Sequence, residues 1–578
     1  MWKYIRRYLH FAILAAAFMV GEVTMDLLQP SIMRRIVDDG VLGVGTGGVG
    51  SLPLIWSLGL RMILLVLFGG LCGSLNNAFV HMTGQNIGNE MRKDCFRNIM
   101  TFSFPQMDRF GTGSLVTRVT NDITQVQTYI STFVRGMIRT SMLMFGSIFF
   151  MFRLNPRFGL VVLCAFPVIV GCMALCLLKA NPLFARLQAQ LDQINAILQE
   201  DISGIRIIKA CVREAYEKLR FGKANGELIK TQLKVLTIFA FMNPAVNALM
   251  YVVVALILLL GHAEVGAGLS SPGSIMAAIT YTTQLLNGIL QLSMLFQNIS
   301  RGAASWKRVK EILHSAPELK DGSFDGSTDV RGRIEFRNVS FAYPGSAQTV
   351  LHDVNLTIEP GETLAILGAT GCGKSTLVHL TPRFYDVTEG AVLVDGVDVR
   401  DYRQRDLRRK VAIALQRSEL FSQTISENIA WGDADADTSA IQAAARVAQA
   451  DDFIQSTPDG YDTMVAERGM SLSGGQKQRI SISRAILKGA EILIFDDSTS
   501  ALDLKTEADL YAALKQSHPD STKILIAQRI ASVRRADRIA VLEGGTIAAC
   551  GTHEALMASC KTYRDIYDSQ LGEEDGHD

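Results

Sequence analysis

The sequence lacks the features that mark several common classes of protein. Its formal net charge is only +1 over 578 residues, and it has no basic arm or RNA-binding signature, so nothing predicts a nucleic-acid partner. Nine cysteines are scattered without a CxxC pair, which excludes a disulfide framework and is typical of reduced thiols. The N-terminal stretch MWKYIRRYLH is basic and aromatic, and no small-residue cleavage site follows it. This predicts an amphipathic or anchoring segment at a membrane interface, not a cleavable signal peptide.

The apolar residues are unevenly distributed along the chain. Eighteen of the 21 methionines lie in the first 300 residues. The same region holds six stretches of the length that a bilayer requires, which is about 20 mostly apolar residues. The predicted spans are 9–33, 54–80, 136–154, 158–178, 236–261 and 273–300. Six buried helices in a soluble core would not contain a run as long and as free of charge as PAVNALMYVVVALILLLG.

An even number of spans places both termini on the same side of the membrane. The connections 81–135 and 179–235 are long, helical in period and rich in Lys and Arg, which favours the cytoplasm. Charge alone does not decide the orientation, because Arg34, Arg35, Arg153 and Arg157 would then lie outside. Breaks at FPQMDRFGTG and at Gly204 predict that each connection is two helices joined by a short transverse turn. Such a turn is placed to press on a soluble domain.

The second half of the chain has a different pattern. A polar, turn-rich linker at 309–330 separates a transmembrane domain at 1–308 from a domain at 331–578. In the latter, short β-rich runs such as TLAIL, VAIAL, ILIFDD and TKILIAQ alternate with helical ones. This alternation predicts a largely parallel α/β domain. The predicted fold class is therefore a membrane α-helical bundle, with long cytoplasmic extensions, fused to an α/β domain.

A phosphate-binding loop stands at the start of this second domain. GATGCGKST, from Gly368 to Thr376, follows the strand TLAIL, opens a helix and fits GxxxxGK[ST]. Its glycines let backbone N–H groups converge on phosphate oxygens at a helix N-terminus. Lys374 is expected to reach the β- and γ-phosphates, and Ser375 to ligate Mg²⁺. The sequence therefore predicts a site for ATP and Mg²⁺.

Further motifs follow in a fixed order. SLSGGQKQR resembles the ABC signature LSGGQ, Gln416 resembles the Q-loop glutamine, SALD resembles the D-loop, and Tyr343 resembles the aromatic residue that stacks on adenine. Together with the P-loop they resemble the ABC transporter superfamily, specifically exporters with six membrane helices fused to one ATPase domain. The resemblance covers essentially the whole chain. The nucleotide-binding candidates are Tyr343, Gly368, Ala369, Thr370, Gly371, Cys372, Gly373, Lys374, Ser375 and Thr376. The signature candidates are Ser471, Leu472, Ser473, Gly474, Gly475 and Gln476, and the D-loop candidates are Ser500, Ala501, Leu502 and Asp503.

The resemblance implies a mechanism and a location. Two ATPase domains close head to tail around two ATP molecules, each bound between the P-loop of one subunit and the signature of the other. Closure turns the membrane helices from inward-facing to outward-facing, and hydrolysis resets them. This chain has one copy of each motif, so it is half of a transporter. ATP is cytosolic, so we expect a multi-pass protein of the bacterial cytoplasmic membrane with both termini in the cytoplasm.

Two residues depart from the family pattern. Asp496 ends the strand ILIF, where the family aspartate helps to hold Mg²⁺, and Ser375, Gln416 and Asp496 are the metal candidates. The next residue is normally Glu, but here it is Asp497, whose side chain is shorter by about 1.5 Å. The family's switch His is replaced by Gln528, which cannot relay a proton. We therefore expect slow hydrolysis at this site, with Asp497 as a weak base beside Gln528 and Gln416.

An intact signature beside a weak catalytic site favours a heterodimer. This chain would lend Ser473 and Gly475 to a partner subunit whose own site carries Glu and His. The arrangement resembles the heterodimeric bacterial multidrug exporters, and a homodimer is the alternative. Export of small amphipathic molecules follows from the resemblance, with lipid, peptide or siderophore as alternative cargo. A soluble ABC ATPase conflicts with the six spans, and only flux measurements separate a pump from an ATP-gated channel.

Polar residues in the spans are the candidates for a substrate cavity. Five of them share one helical face of the sixth span, and two acids stand four residues apart in the first. The candidates are Glu22, Asp26, Thr280, Gln284, Asn287, Gln291 and Asn298. The amides and hydroxyls line a wet cavity or bond another helix. The acids attract cationic substrate, form an outer gate, or are solvated at the interface. Cys372 is a reactive thiol or a small filler of the P-loop.

Overall fold

The computed structural model describes residues 1–44 and 49–571. The chain forms two compact units. The first consists of Met1–Met100 and Gly113–Ser315, and the second consists of Thr101–Thr112 together with the chain from Ala316 onward. The segment 101–112, which the sequence places in the transmembrane domain, therefore groups with the second unit.

In the described residues, the first half of the chain is mostly helical. In chain order the helices are α1 (Trp2–Arg7), α2 (Leu9–Arg35), α3 (Leu52–Ile99), α4 (Phe104–Phe110), α5 (Thr112–Thr117), α6 (Ile123–Leu154), α7 (Pro156–Ser203), α8 (Ile205–Ala210), α9 (Glu214–Gly266) and α10 (Pro272–His314). Two π-helical turns, Ile36–Val41 and Arg118–Asp122, continue α2 and precede α6. Because α10 runs to His314, residues 309–314 of the predicted linker are helical.

Five helical segments of the described chain are long and apolar enough to cross a membrane: Leu9–Val41, Leu52–Ile99, Thr112–Leu154, Pro156–Ser203 and Glu214–Gly266. They contain the first five predicted spans. The sixth predicted span, 273–300, lies within α10, which is not among these five in the part of the chain that the structure describes. Its Thr, Gln and Asn side chains lower its hydropathy, so the sixth span stays a prediction.

Short helices occupy the places where the sequence predicts an interfacial segment and transverse turns. Helix α1 is held on α3, where Lys3 Nζ and Tyr4 Oη donate to Asp94 at 3.2 and 2.9 Å and Arg7 donates to Glu90 at 2.7 Å. The two predicted turns are the helices α4 and α8, not simple turns. Pro105 stands in the first turn of α4, after a capping box at Ser103, and Gly204 precedes α8.

Helix α4 packs inside the second unit. The ring of Phe104 stacks on Phe384 with centroids 4.2 Å apart, and Tyr385 Oη donates to Asp108 Oδ2 at 2.6 Å. Gln106, which is fully buried, donates to the carbonyl of Ala316 at 2.8 Å. These contacts explain why residues 101–112 group with the second unit.

The described part of the second unit, up to residue 571, contains ten strands and ten further helices. The strands are β1 (Ile334–Ala342), β2 (Thr349–Ile358), β3 (Thr363–Leu367), β4 (Glu389–Val394), β5 (Val397–Asp398), β6 (Val411–Ala414), β7 (Ile492–Asp496), β8 (Thr522–Ile526), β9 (Arg538–Glu543) and β10 (Thr546–Gly551). The helices are α11 (Lys374–Leu380), α12 (Gln404–Lys410), α13 (Ile425–Ala430), α14 (Thr438–Val447), α15 (Asp451–Gln455), α16 (Gly474–Leu487), α17 (Leu504–Ser517), α18 (Ile530–Val533), α19 (His553–Ser559) and α20 (Lys561–Leu571), with 3₁₀ turns at Gly460–Asp462 and Glu467–Gly469.

The strands form two sheets. The six-stranded sheet has the order β10-β9-β3-β8-β7-β6, and all its pairs are parallel except β10 with β9. Alternate residues of β3 enter different hydrophobic clusters, Leu364 and Ile366 on one face and Ala365 and Leu367 on the other. Both faces are therefore buried, which explains why these strands are continuous apolar runs.

The second sheet differs from the sequence prediction. Its order is β2-β1-β4-β5, and every pair is antiparallel. The prediction of a largely parallel domain therefore holds for the six-stranded sheet alone. Strands β1 and β2 are joined by a short connection, and a short connection reverses the chain and allows only antiparallel pairing.

Candidate functional site

The P-loop follows β3 and ends where α11 begins at Lys374. Gly371 and Gly373 have φ of +84° and +105°, values that L side chains rarely adopt. A Cβ at Gly373 would also lie 2.9 Å from Leu351 Cδ2. Glycine is thus required at Gly373 for both its backbone conformation and its close packing on β2. The strand–loop–helix arrangement predicted for this segment is confirmed.

The P-loop forms one wall of a pocket of about 330 Å³. Lys374 is 7% exposed, and its Nζ donates to the carbonyls of Gly368 and Ala369 at 2.7 and 2.9 Å. Tyr343 lies on the same pocket and its hydroxyl is 2.9 Å from Thr376 Oγ1. The lining residues are Tyr343, Val350, Thr370, Gly371, Gly373, Lys374, Ser375, Thr376, Gln416, Asp497, Ile526 and Gln528. The fold thus brings together residues from five separate predicted motifs.

Two oxygen donors stand side by side at the base of the P-loop helix. Ser375 Oγ donates to Asp496 Oδ1 at 2.6 Å, and Asp496 is 1% exposed. His379, one turn further along α11, places Nε2 3.2 Å from Asp496 Oδ2. A hydroxyl beside a carboxylate, next to a loop built for phosphate, is the donor set that Mg²⁺ takes in such sites.

Two glutamine side chains donate to one oxygen of the Asp497 carboxylate. The carboxylate oxygen Oδ2 accepts hydrogen bonds from Gln416 Nε2 and from Gln528 Nε2, each at 3.1 Å. The residue is 8% exposed, and its φ of +49° is a left-handed conformation in which Asp is more common than Glu. Gln416, predicted also as a metal ligand, therefore turns its amide donor toward Asp497.

The signature and the D-loop are joined within this chain. Ser473 caps α16 by a capping box with Gln476, and a Cβ at Gly475 would lie 2.9 Å from the carbonyl of Ala501. Gln478 accepts from the Ala501 N–H at 2.9 Å and donates to Ser500 Oγ at 3.1 Å. Ser473 and Gly474 are exposed, whereas Leu472 packs against the core. Residues 471–476 thus present a rigid helix start to the outside of this unit.

Asp503 ends the D-loop and caps α17. Its Oδ1 accepts the N–H of Thr506 at 2.9 Å and its Oδ2 accepts the Thr506 hydroxyl at 2.7 Å. These hydrogen bonds, the backbone one foremost, lower the pKa of the Asp503 carboxyl below its usual value. Asp503 is consequently a charged cap at neutral pH. Leu502 beside it is buried and accepts a hydrogen bond from Arg529 Nη1 at 3.1 Å.

The two acids predicted in the first span share a cation. Arg139 of α6 pairs through Nη1 with Glu22 and through Nη2 with Asp26, the latter at 3.3 Å. Gln284 of α10 donates to the Asp26 carbonyl at 3.1 Å. Glu22 and Asp26 are therefore parts of an ion-pair cluster that joins α2 to α6, and they are not simply solvated acids.

The polar residues on one face of α10 differ in their hydrogen bonds and in their exposure. Thr280 donates to the Met276 carbonyl in its own helix at 3.0 Å, and Asn287 and Gln291 are exposed in this chain. The Asn298 side chain lies outside the described residues. Buried neighbours such as Tyr281 and Leu285 pack on the core of the bundle, so the polar residues lie on the opposite face.

Sequence reasoning missed three residues at these sites. His379 is hidden in the helix after the P-loop, Arg139 stands within the third predicted span, and Gln570 lies far along the chain from the switch position that it contacts. An intramembrane Arg on one span with two acids on another was the available signal for pairing. No local pattern marks His379 or Gln570.

Comparison with known proteins matches both halves of the chain. The family described as "ABC transporter transmembrane region" matches residues 11–289, and the family described as "ABC transporter" matches residues 351–500. An uncharacterized ABC transporter ATP-binding protein, YfiB, of Bacillus subtilis (strain 168) is 37% identical over 573 residues, which cover 99% of this chain and 98% of the relative. An ATP-dependent lipid A-core flippase of Syntrophus aciditrophicus (strain SB) is 36% identical over 518 residues, covering 89% and 86%.

A solved structure agrees with the fold. A bacterial Atm1-family ABC exporter with ATP bound superimposes with a TM-score of 0.80 and 28% identity, covering 98% of each chain. The predicted fold class, a helical membrane domain fused to an α/β ATPase domain, is confirmed.

Alkylation of Cys372 should block nucleotide binding. Its Sγ lies 4.0 Å from Lys374 Nζ, and a Cβ at Gly368 would lie 2.9 Å from the same sulfur, so an adduct there displaces the P-loop. We expect N-ethylmaleimide to abolish ATP binding, and ATP to protect. The Cys372→Ala variant is the control and should keep ATP binding after treatment. Equal labelling of Cys372 with and without ATP would contradict the prediction.

Arg139→Met should destabilise the membrane unit, because it leaves Glu22 and Asp26 facing each other without a cation. Breaking a fully buried ion pair lowers the free energy of unfolding by about 3–5 kcal/mol. Since these side chains are partly exposed, we expect a loss of about 1–3 kcal/mol. Thermal unfolding in lipid nanodiscs measures the loss. Adding Glu22→Gln and Asp26→Asn should restore stability. Arg153→Met, an exposed residue nearer the end of the same helix, is the control, and an equal loss there would refute the assignment.

Proposed function

Because the chain belongs to the ABC transporter family, and as such hydrolyses ATP to drive transport, we propose that it is the slow-site subunit of a heterodimeric exporter. The prediction of an exporter-type half-transporter with a transport ATPase is confirmed by the family matches and by the exporter structure. Three further properties are proposed. Hydrolysis at this chain's own ATP site is slow, its partner is a different subunit, and its cargo is a small amphipathic molecule.

The hydrogen bonds of Asp497 are the observation that supports slow ATP hydrolysis at this site. A general base must accept a proton from the attacking water, and its position decides the rate. The two amide donors fix Asp497 Oδ2 in place, and the side chain is one methylene shorter than the family's Glu. A misplacement of about 1 Å can cost roughly 10²-fold in rate. ATP is therefore expected to stay bound at this site for many turnovers of the other.

Gln528 strengthens the same conclusion. Its amide is a neutral donor that cannot become a cation or carry a proton. In this structure that donor is directed at Asp497. The site thus loses a movable proton at the switch position while its base is held in place by the same residue.

Mg²⁺ fits the site through Ser375 and Asp496, which supply adjacent oxygen atoms beside the phosphate loop. When bound, the ion would neutralise phosphate charge. ATP binding requires Ser375 and Asp496, the P-loop amides, Lys374 and Tyr343. None of these residues departs from the family pattern. Binding without fast hydrolysis is therefore the property that this combination of residues supports.

The signature supports an unequal partner. Ser473 and Gly474 are exposed at the start of a well-capped helix, as a motif used by another subunit must be. Two copies of this chain would pair two good signatures with two weak bases. A partner with Glu and His at the corresponding positions would place this chain's signature on a fast site. A homodimer is the alternative assembly.

The proposal also covers orientation and cargo. We place the protein in the cytoplasmic membrane with both termini in the cytoplasm, where its ATP site meets ATP. The cargo is a small amphipathic molecule that contacts the polar face of α10, near the cluster of Arg139, Glu22 and Asp26. A lipid is the second candidate, because several relatives, at 33–36% identity, are lipid A-core flippases.

The purified chain alone should bind ATP and hydrolyse it slowly. Asp497→Glu combined with Gln528→His should raise the rate by roughly 10²-fold, because the longer acid reaches closer to the attacking water and the imidazole restores a proton relay. Steady-state phosphate release measures both. Asp520→Glu adds the same methylene at an exposed turn and should change nothing. Fast ATP hydrolysis by the unmodified chain without a partner would contradict the proposal.

Ser473→Ala should slow the partner's site. Loss of one preorganised donor at a reacting phosphate should lower the ATPase rate of the assembled heterodimer by at least about tenfold. The substitution also removes a helix cap, which costs about 1 kcal/mol. Asp437→Ala removes the cap of α14, away from the signature, and controls for that cost. A heterodimer with Ser473→Ala that retains full activity would show that the signature does not serve a catalytic site.

A further inference from the structure

The switch segment 528–530 connects β8 to the short helix α18. Its side chains reach two other motifs, since Gln528 donates to Asp497 Oδ2 at 3.1 Å and Arg529 donates to the Leu502 carbonyl at 3.1 Å. Its backbone is held by neither contact. The orientation of the Gln528 side chain therefore depends on what fixes the backbone beneath it.

Gln570 provides that fixation with a single amide group. Its Nε2 donates to the Gln528 carbonyl at 2.7 Å, and its Oε1 accepts the Ile530 N–H at 2.8 Å. Ile530 is the first residue of α18, where an N–H has no partner inside the helix. The pairing needs one donor and one acceptor, which a glutamine amide supplies and a carboxylate or an ammonium does not.

Helix α20, which carries Gln570, packs on the hydrophobic core of the second unit. Tyr563 of this helix is fully buried, and Ile566 and Tyr567 pack against the hydrophobic cluster beneath the six-stranded sheet. Tyr567 and Gln570 also line a pocket of about 880 Å³ together with Asp497, Gln528 and Asp503. The amide is therefore anchored at the core and acts at the edge of the nucleotide site.

We propose that Gln570 is a positioning residue of the nucleotide site: by holding the backbone of Gln528 and Ile530, it sets the direction of the Gln528 amide toward Asp497. It acts through Gln528 and does not contact nucleotide itself. The proposal concerns hydrolysis at this chain's own P-loop, and it stands whether the assembly is a homodimer or a heterodimer.

The test follows nucleotide on this chain in the assembled transporter. Photolabelling with 8-azido-ATP attaches the nucleotide to the polypeptide, so that occupancy and the conversion of bound ATP to ADP are measured for this subunit alone. Gln570→Met keeps the length of the side chain and removes both hydrogen bonds. Gln570→Glu keeps only the acceptor for the Ile530 N–H. Ser569→Ala, an exposed neighbour on the same helix, is the control.

We expect Gln570→Met to slow conversion about tenfold, a fraction of the roughly 10²-fold that a 1 Å misplacement can cost, with half-saturating nucleotide changed less than about twofold. Gln570→Glu should slow conversion at least as much as Gln570→Met, because its second carboxylate oxygen would face the Gln528 carbonyl oxygen, and Ser569→Ala should match the wild type. Hydrogen exchange at the Ile530 amide should quicken in Gln570→Met. In a Gln528→Ala background, Gln570→Met should have no further effect on conversion, because the group that it positions is gone.

Wild-type conversion by Gln570→Met would overturn the proposal. So would an equal slowing in the Gln528→Ala background, or a loss of nucleotide occupancy in step with the rate, since either indicates a general folding defect. These outcomes compare variants with the wild type. They are therefore independent of whether the wild-type rate is slow, which is the separate claim of the proposed function.

Discussion

The carboxylate of Asp497, held by two amides, is the contact on which the rest of the site depends. Asp497 follows β7, Gln416 follows β6 and Gln528 follows β8, and these three strands are neighbours in the order β8-β7-β6. Their carboxyl ends meet at one edge because they run parallel. The next strand, β3, delivers the P-loop to the same edge. Sheet order therefore places base, switch, Q-loop and phosphate loop in a row.

The same edge connects to the surfaces that another subunit would meet. Arg529 joins the switch segment to the D-loop at Leu502, and Gln478 joins the D-loop to the signature helix. These hydrogen bonds link the segment of Gln528 to the D-loop and to the signature helix, the motifs that we propose serve the partner's ATP site. In a subunit that retains ATP, this chain of contacts would allow occupancy of one site to influence closure at the other.

The parts that sequence predicts well are those with a local physical signature. The P-loop, the buried parallel strands and five long apolar helices each follow from composition or spacing over fewer than 30 residues. The antiparallel sheet was missed, since the run IEFRNVSFA does not reveal the direction of its partners. The pairing of Arg139 with Glu22 and Asp26 joins different helices, and the contact of Gln570 with Gln528 joins residues 42 positions apart. Such contacts are set by packing, which no single sequence window records.

The most direct test of the central claim is the chemical state of the nucleotide at each site during turnover. A cryo-EM structure of the assembled transporter, frozen during steady-state hydrolysis of Mg-ATP, gives that state for both P-loops. The account predicts intact ATP with Asp497 beside its γ-phosphate in this chain, and a mixture of ATP and ADP at the partner's P-loop. ADP at this chain's P-loop, in the same proportion as at the other, would contradict it.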